Sequence, residues 1–156
     1  MNDEQYLRMA IEKAKEGIAA GQTPFAACIV RGGKVLACEH NLVWRNTDIT
    51  IHAEITSLRR ACKKIGGIDL SGATIYSTTE PCPMCFSAIH WARIDRIVYG
   101  AEIADAVKAG FNELTVSNKE LKQLGGSLVE ITSGCLRQEC ADLFRLWKES
   151  GTGTLY

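Results

Sequence analysis

Short apolar runs alternate with amphipathic helical stretches along most of this chain, and that alternation restricts it to an α/β fold built on one sheet. Phe25 to Val30 and Val35 to Cys38 are joined through Arg31-Gly32-Gly33-Lys34, where paired glycines supply the positive φ angles of a tight antiparallel turn. Ahead of this hairpin, residues from Glu4 to about Ala20 carry Tyr6, Leu7, Ala10, Ala14 and Ile18 on one helical stripe, with Gly17 and Gly21 weakening its end. After it, the polar stretch from Asn41 to Ile51 leads into a helix from His52 to about Ile65, stopped by Gly66-Gly67. A strand from Ala73 to Ser77, a helix from Pro83 to about Arg93 and a strand from Arg96 to Ala101 follow. Leu128 to Ile131 reads as a further strand, and Cys135 to about Glu149 as a helix offering Leu136, Leu143, Leu146 and Trp147 for burial. Strands separated by helices favour parallel pairing. The expectation is a three-layer α/β/α domain with a mixed central sheet, and residues 1–156 are expected to form a single unit, because this length is typical of one compact core.

No run of about 18 apolar residues spans a bilayer, and the acidic and basic first twenty residues do not read as a signal sequence, so a cytoplasmic protein with no membrane partner is expected. Eighteen acids balance eighteen bases, which argues against a chain that grips long stretches of phosphate backbone. Seven cysteines, an odd number without a secretory signal, point to metal binding and core packing rather than to a disulfide framework. Cys28, Cys38 and Cys62 sit among apolar neighbours, as packing cysteines do. Packing is also favoured for Cys135 and Cys140, which lack accompanying ligands.

The chemistry concentrates in His52-Ala53-Glu54 and, twenty-seven residues after the glutamate, Pro81-Cys82-Pro83-Met84-Cys85. Two thiolates and one imidazole fill three tetrahedral positions of a zinc ion and leave the fourth for water, whose pKa the metal lowers toward neutrality. Pro83 suits the first turn of a helix, so Cys82 lies at a helix N-terminus, where free amides and the dipole stabilise a thiolate. Residues two apart on a regular helix point about 200° away from each other, so His52 and Glu54 share a pocket only at a helix entrance. A closed structural zinc module, with His40, His90 or a third cysteine as fourth ligand, is the non-catalytic alternative. It gives Glu54 no task, whereas an activated water needs a proton carrier within reach.

His52-Ala53-Glu54 with Pro81-Cys82-x-x-Cys85 resembles the HxE and PCxxC signature of the cytidine deaminase superfamily, the zinc-dependent nucleobase deaminases. The resemblance runs from Pro24-Phe25-Ala26-Ala27 through Asn41 to the Cys135 helix. It implies the three-layer fold, one zinc ion per chain held by His52, Cys82 and Cys85, and a homodimer associating through helices beside the active site. It also implies that Glu54 moves a proton from the metal's water to a ring nitrogen, and that Ala53 and Cys82 offer backbone N–H groups. Asn41 has a donor and an acceptor for a base edge, with a turn as its plainer role.

Two branches of the superfamily are similar to this chain. Small guanine deaminases match it in Pro24-Phe25, Trp91-Ala92-Arg93, Asp105-Ala106-x-x-Ala109-Gly110-Phe111 and a terminal aromatic, here Tyr156. The tRNA adenosine deaminases share His-Ala-Glu, Pro-Cys-x-Met-Cys and a late helix like Leu136-Arg137-Gln138-Glu139-Cys140. Guanine presents N1–H and its exocyclic amine as adjacent donors, which a carboxylate such as Glu113 can accept, while adenine has only an acceptor at N1. A free nucleobase, guanine, is therefore the expected small-molecule substrate, with Phe25, Asn41, Ala53, Trp91, Glu113 and Tyr156 around it. Transfer RNA is a partner only under the adenosine alternative. Arg59, Arg60, Lys63 and Lys64 form the one dense basic patch, which a solvated helix face explains equally well. The chain departs from relatives in carrying Asp48-Ile49-Thr50 for Asp-Pro-Thr, Ser87-Ala88 for Gly-Ala, and Glu113 where aspartate is usual.

Overall fold

A computed structural model describes residues 1–156. Its centre is a five-stranded sheet in the order β2-β1-β3-β4-β5, with β1 at Ala26–Arg31, β2 at Lys34–His40, β3 at Ala73–Thr79, β4 at Arg96–Ala101 and β5 at Glu130–Thr132. β1 runs antiparallel to β2 and β3, whereas β3, β4 and β5 are parallel, so the mixed sheet follows the expectation. Gly32 and Gly33 turn the hairpin at φ 54° and 76°. The strand side chains alternate between two cores: Ala26, Cys28 and Val30 of β1 face one cluster, and Ala27 and Ile29 face the other.

The first core lies under α1 (Asp3–Ala19), which Asn2 and Gln5 start with a capping box, and under the C-terminal helix. α1 ends close to the expected Ala20, and Gly17 lies in its last turn. It lies buried within the helix where the His40 ring packs so closely that an added Cβ would stand 2.8 Å from the ring. Between the sheet's first hairpin and β3 come a single helical turn, α2 (Val43–Asn46), and α3 (Ala53–Ile65), which ends on Gly66 at φ 70°. α3 and α4 (Pro83–Trp91) cover the second core. Two helices beyond those expected from the sequence follow β4: α5 (Ile103–Ala109) and α6 (Asn118–Gly125). The last helix, α7, spans Arg137–Ser150 and starts two residues later than expected, because Leu136 adopts a left-handed conformation at its entrance. Leu143 and Trp147 are buried on it as expected, Leu136 is partly buried, and Leu146 is mostly turned outward.

The last strand also starts two residues later than Leu128. Leu128 precedes the ladder, whose first pair is Arg96 with Glu130, and it projects into solvent. Arg96 in turn clamps Asp3 with two nitrogens at 3.1 and 2.8 Å, fixing the start of α1 to the first residue of β4. All seven cysteines are free thiols, with Cys28 and Cys140 buried in the first core. No helix is long and apolar enough to cross a membrane.

Gly100 of β4 lies directly beneath Cys140, and a Cβ at this position would overlap that side chain and come within 2.8 Å of the Cys135 carbonyl oxygen. Neither neighbour is free to withdraw, since one is buried and the other is backbone. Gly100→Ala is expected to destabilise the chain by roughly 1–3 kcal/mol in denaturant titration, the usual cost of overpacking. Cys140→Ala should not fully rescue it, because the carbonyl contact persists.

Candidate active site

Two helix entrances converge on one point. His52 is the N-cap of α3, in extended conformation at φ −63°, ψ 161°, and Cys82 is the N-cap of α4 at φ −63°, ψ 166°, with Pro83 in the first turn. Capping geometry turns both side chains away from the helix direction, so they meet in front of the C-terminal end of β3. His52 Nδ1 stands 3.5 Å from Cys82 Sγ and 3.7 Å from Cys85 Sγ. All three donor atoms lie within 4.8 Å of one another. A tetrahedral zinc with ordinary Zn–N and Zn–S bonds places its ligand atoms roughly 3.6 Å apart, so donor type and spacing both fit that ion.

Glu54, on the first turn of α3, is buried beside this cluster. Ser77 Oγ of β3 donates to its Oε1 at 2.9 Å, and Cys85 Sγ lies 3.5 Å from Oε2. Burial, reinforced by the neighbouring Cys82 charge, pushes its carboxyl above the usual range. The Cys82 thiol is drawn down to about 4, chiefly by a hydrogen bond from the Cys85 thiol and further by His52. Burial alone would depress the His52 imidazole, but hydrogen bonding to Cys82 and nearby negative charge more than offset it.

The pocket in front of the cluster is lined by Phe25, His52, Glu54, Thr79, Glu80, Cys82, Ile103, Glu113 and Tyr156. Phe25 packs edge-on against Phe111 at 4.9 Å, and Tyr156 stands 5.7 Å from both the Phe111 and His52 rings. Burial, followed by the Cys82 charge, pushes Glu113 up to about 6. With Tyr156 in place the cavity is about 20 Å³, room for roughly one water and not for a purine.

Comparison with known proteins places this chain in a known group. A family model for MafB19-like deaminases matches residues 1–139. The chain belongs to that family, within the cytidine deaminase superfamily. It is 45% identical to the guanine deaminase of Bacillus subtilis (strain 168) over 114 residues, covering 72% of this chain and 73% of the relative. It is 35% identical to the tRNA-specific adenosine deaminase of the same organism over 141 residues, covering 90% of this chain and 85% of the relative. A solved structure of guanine deaminase from Nitrosomonas europaea superimposes with a TM-score of 0.86 at 28% identity, covering 94% of this chain and 84% of that one. A tRNA:A34 deaminase structure superimposes with a TM-score of 0.78 at 31% identity, covering 89% and 98%.

In this deaminase the expected residues do not all reach the pocket. Ala53 is buried at the first position of α3, where the helix cannot satisfy its own N–H. Asn41 is fully buried behind Tyr156: its Oδ1 accepts from Val43 N at 2.9 Å, closing a turn, and its Nδ2 donates to Tyr156 Oη at 2.8 Å. The turn and the donor thus coexist, with the tyrosine hydroxyl standing where a base edge was expected. Trp91 is a correction. It ends α4 at 75% exposure, in a surface groove with Phe86, His90, Leu121 and Leu124, because nine residues of helix carry it away from Cys82. Ser77, Thr79, Glu80 and Ile103 are site residues that sequence reasoning passed over. Thr79 and Glu80 directly precede Pro81-Cys82, a position that could have marked them.

Zinc titration is expected to saturate at one ion per chain. Cys85→Ala should abolish high-affinity binding, since it removes a buried ligand, whereas Glu54→Gln should retain it. Metal content after gel filtration checks both.

Proposed function

We propose that this deaminase hydrolyses the exocyclic C–N bond of a free purine base, guanine, giving xanthine and ammonia. The observation that carries the reading is Glu113, a partly buried carboxylate lining the same pocket as His52 and Glu54. Bound at His52, Cys82 and Cys85, zinc supplies a water activated for attack on the carbon bearing the amine. Glu54, held by Ser77, takes a proton at its carboxylate and delivers it to the ring nitrogen beside that carbon. Glu113 accepts hydrogen bonds from N1–H and the adjacent amine. Phe25 and Tyr156 supply aromatic faces, and their apolar surface keeps bulk water out. Adenine would set its N1 lone pair against Glu113, leaving a desolvated charge unpaired at roughly 1–3 kcal/mol or more.

In this reading the Tyr156 ring, which lines the closed pocket, moves aside to admit a base. The tail that carries it includes Gly151 and Gly153, and it is fastened by Trp44 Nε1 donating to the Thr154 carbonyl at 2.7 Å. Swinging out releases Asn41 Nδ2 for the base, and swinging back stacks the ring on it. Two of the four basic residues of α3 are engaged within the chain, Arg60 with Glu39 at 3.0 Å and Lys64 with the Val35 carbonyl, which favours a small substrate over RNA. The second reading, deamination of adenosine in tRNA, has its support in the 35% identity to tRNA-specific adenosine deaminase over 90% of this chain.

The exposed Trp91 supports a homodimer. With Leu124 at 83% exposure and Leu121 beside it, it gives α4 and α6 an exposed apolar groove, which a second copy would cover. Trp91→Glu is then expected to convert a dimer to a monomer in sedimentation velocity.

Ammonia release from guanine, guanosine, cytosine, adenine and an adenosine-containing anticodon stem tests the substrate. Guanine alone is expected to react, and reaction of the RNA stem alone would replace this reading with the second. Glu54→Gln should lower kcat by roughly 10²–10⁴ with zinc retained. Tyr156→Ala should raise KM for guanine about tenfold, the order expected for one lost aromatic–base stack.

A further inference from the structure

The segment from Gly110 to Ser117 brings Glu113 into the pocket and has no regular structure between α5 and α6. Beyond the helix-end bonds of Gly110 and Ser117, its main-chain fastenings are few: Phe111 N to Ala106 O at 3.1 Å, Asn112 N to Tyr156 O at 3.3 Å, and Glu113 N to Phe111 O at 3.1 Å. Where Glu113 stands therefore depends on what fixes the two flanking helices.

Both are fixed by the same side chain. Glu80 is buried, with its backbone N–H tied to the Ala101 carbonyl at 2.8 Å. Its Oε1 accepts from Asn118 N at 2.8 Å and its Oε2 from Ile103 N at 3.4 Å, the first residues of α6 and α5. First-turn amides have no partner within their own helix, and a carboxylate offers acceptors on both oxygens, so one buried acid can close both helix starts. Asn118 adds a second link: its fully buried side chain donates Nδ2 to the Pro81 carbonyl at 2.6 Å. The helices on either side of Glu113 are thus fastened to the residues immediately before Cys82.

We infer that Glu80 is a positioning residue for substrate recognition, setting the distance between the loop that carries Glu113 and the metal-ligating turn. The inference rests on the reading of Glu113 as the group that binds the base. Glu80→Gln keeps the shape but turns an amide donor toward one of the two N–H groups, which then loses its partner.

The test is Glu80→Gln in the zinc-loaded protein, followed by amide hydrogen exchange and steady-state kinetics on guanine. Exchange across residues 111–118 is expected to rise at least tenfold while zinc content stays at one per chain. KM is expected to rise about tenfold and kcat to change less than threefold, a split that general destabilisation would not give. In a Glu113→Gln background, adding Glu80→Gln should change KM no further. Unchanged exchange at 111–118, or full additivity of the two substitutions, overturns the inference. If Glu113→Gln alone leaves KM at its original value, the reading of Glu113 fails, and exchange then decides the role of Glu80 by itself. Should the Glu80→Gln variant fold poorly, Ile103→Pro removes one of the two N–H groups at a helix position that accommodates proline, and it should speed exchange at the α5 end of the loop.

Discussion

The structure depends on two helix N-termini facing each other across the end of one strand. His52 and Cys82 are both caps rather than helix-interior residues, and this places an imidazole and two sulfurs at spacings that suit a tetrahedral ion. First-turn amides make the same region favourable for thiolate charge. The sheet supplies the rigid distance: α3 returns the chain to β3, and β3 delivers Pro81-Cys82 directly into α4.

Around that point the site separates jobs by burial. Glu54 is enclosed, hydrogen-bonded to Ser77 and held above the usual carboxyl range, the condition of a proton carrier. Glu113 is less deeply buried and lines the cavity with Phe25 and Tyr156. Glu80 accepts one main-chain N–H on each oxygen and ties the starts of two helices. Three carboxylates within one pocket wall thus differ in what their oxygens are free to do.

Much of the fold was legible because its signals are local. The hairpin followed from Gly32-Gly33 between apolar runs, and α3 and α4 followed from periodicity closed by Gly66 and opened by Pro83. The helices α5 and α6 were passed over, although Ser117 and Glu120 form a capping box that the sequence spells out. The end of α1 at Ala19 agrees with the expected limit, and Gly17 in its last turn has a second reason for being glycine, since a ring from β2 occupies the space its side chain would need. Trp91 misled because matching a motif says nothing about how far a helix carries its last residue from the first.

By itself the sequence determined the His52, Cys82 and Cys85 donor set, the placing of Glu54 beside it and the α/β layering, since residue type, short spacing and periodicity are properties of the chain alone. Only the tertiary structure decided that Tyr156 stands in the pocket with its hydroxyl on Asn41, and that Glu80 joins the starts of two helices. These are contacts between residues 115, 23 and 38 positions apart. Nothing in local propensity encodes such pairings, because they exist only once the sheet has fixed the elements that carry them.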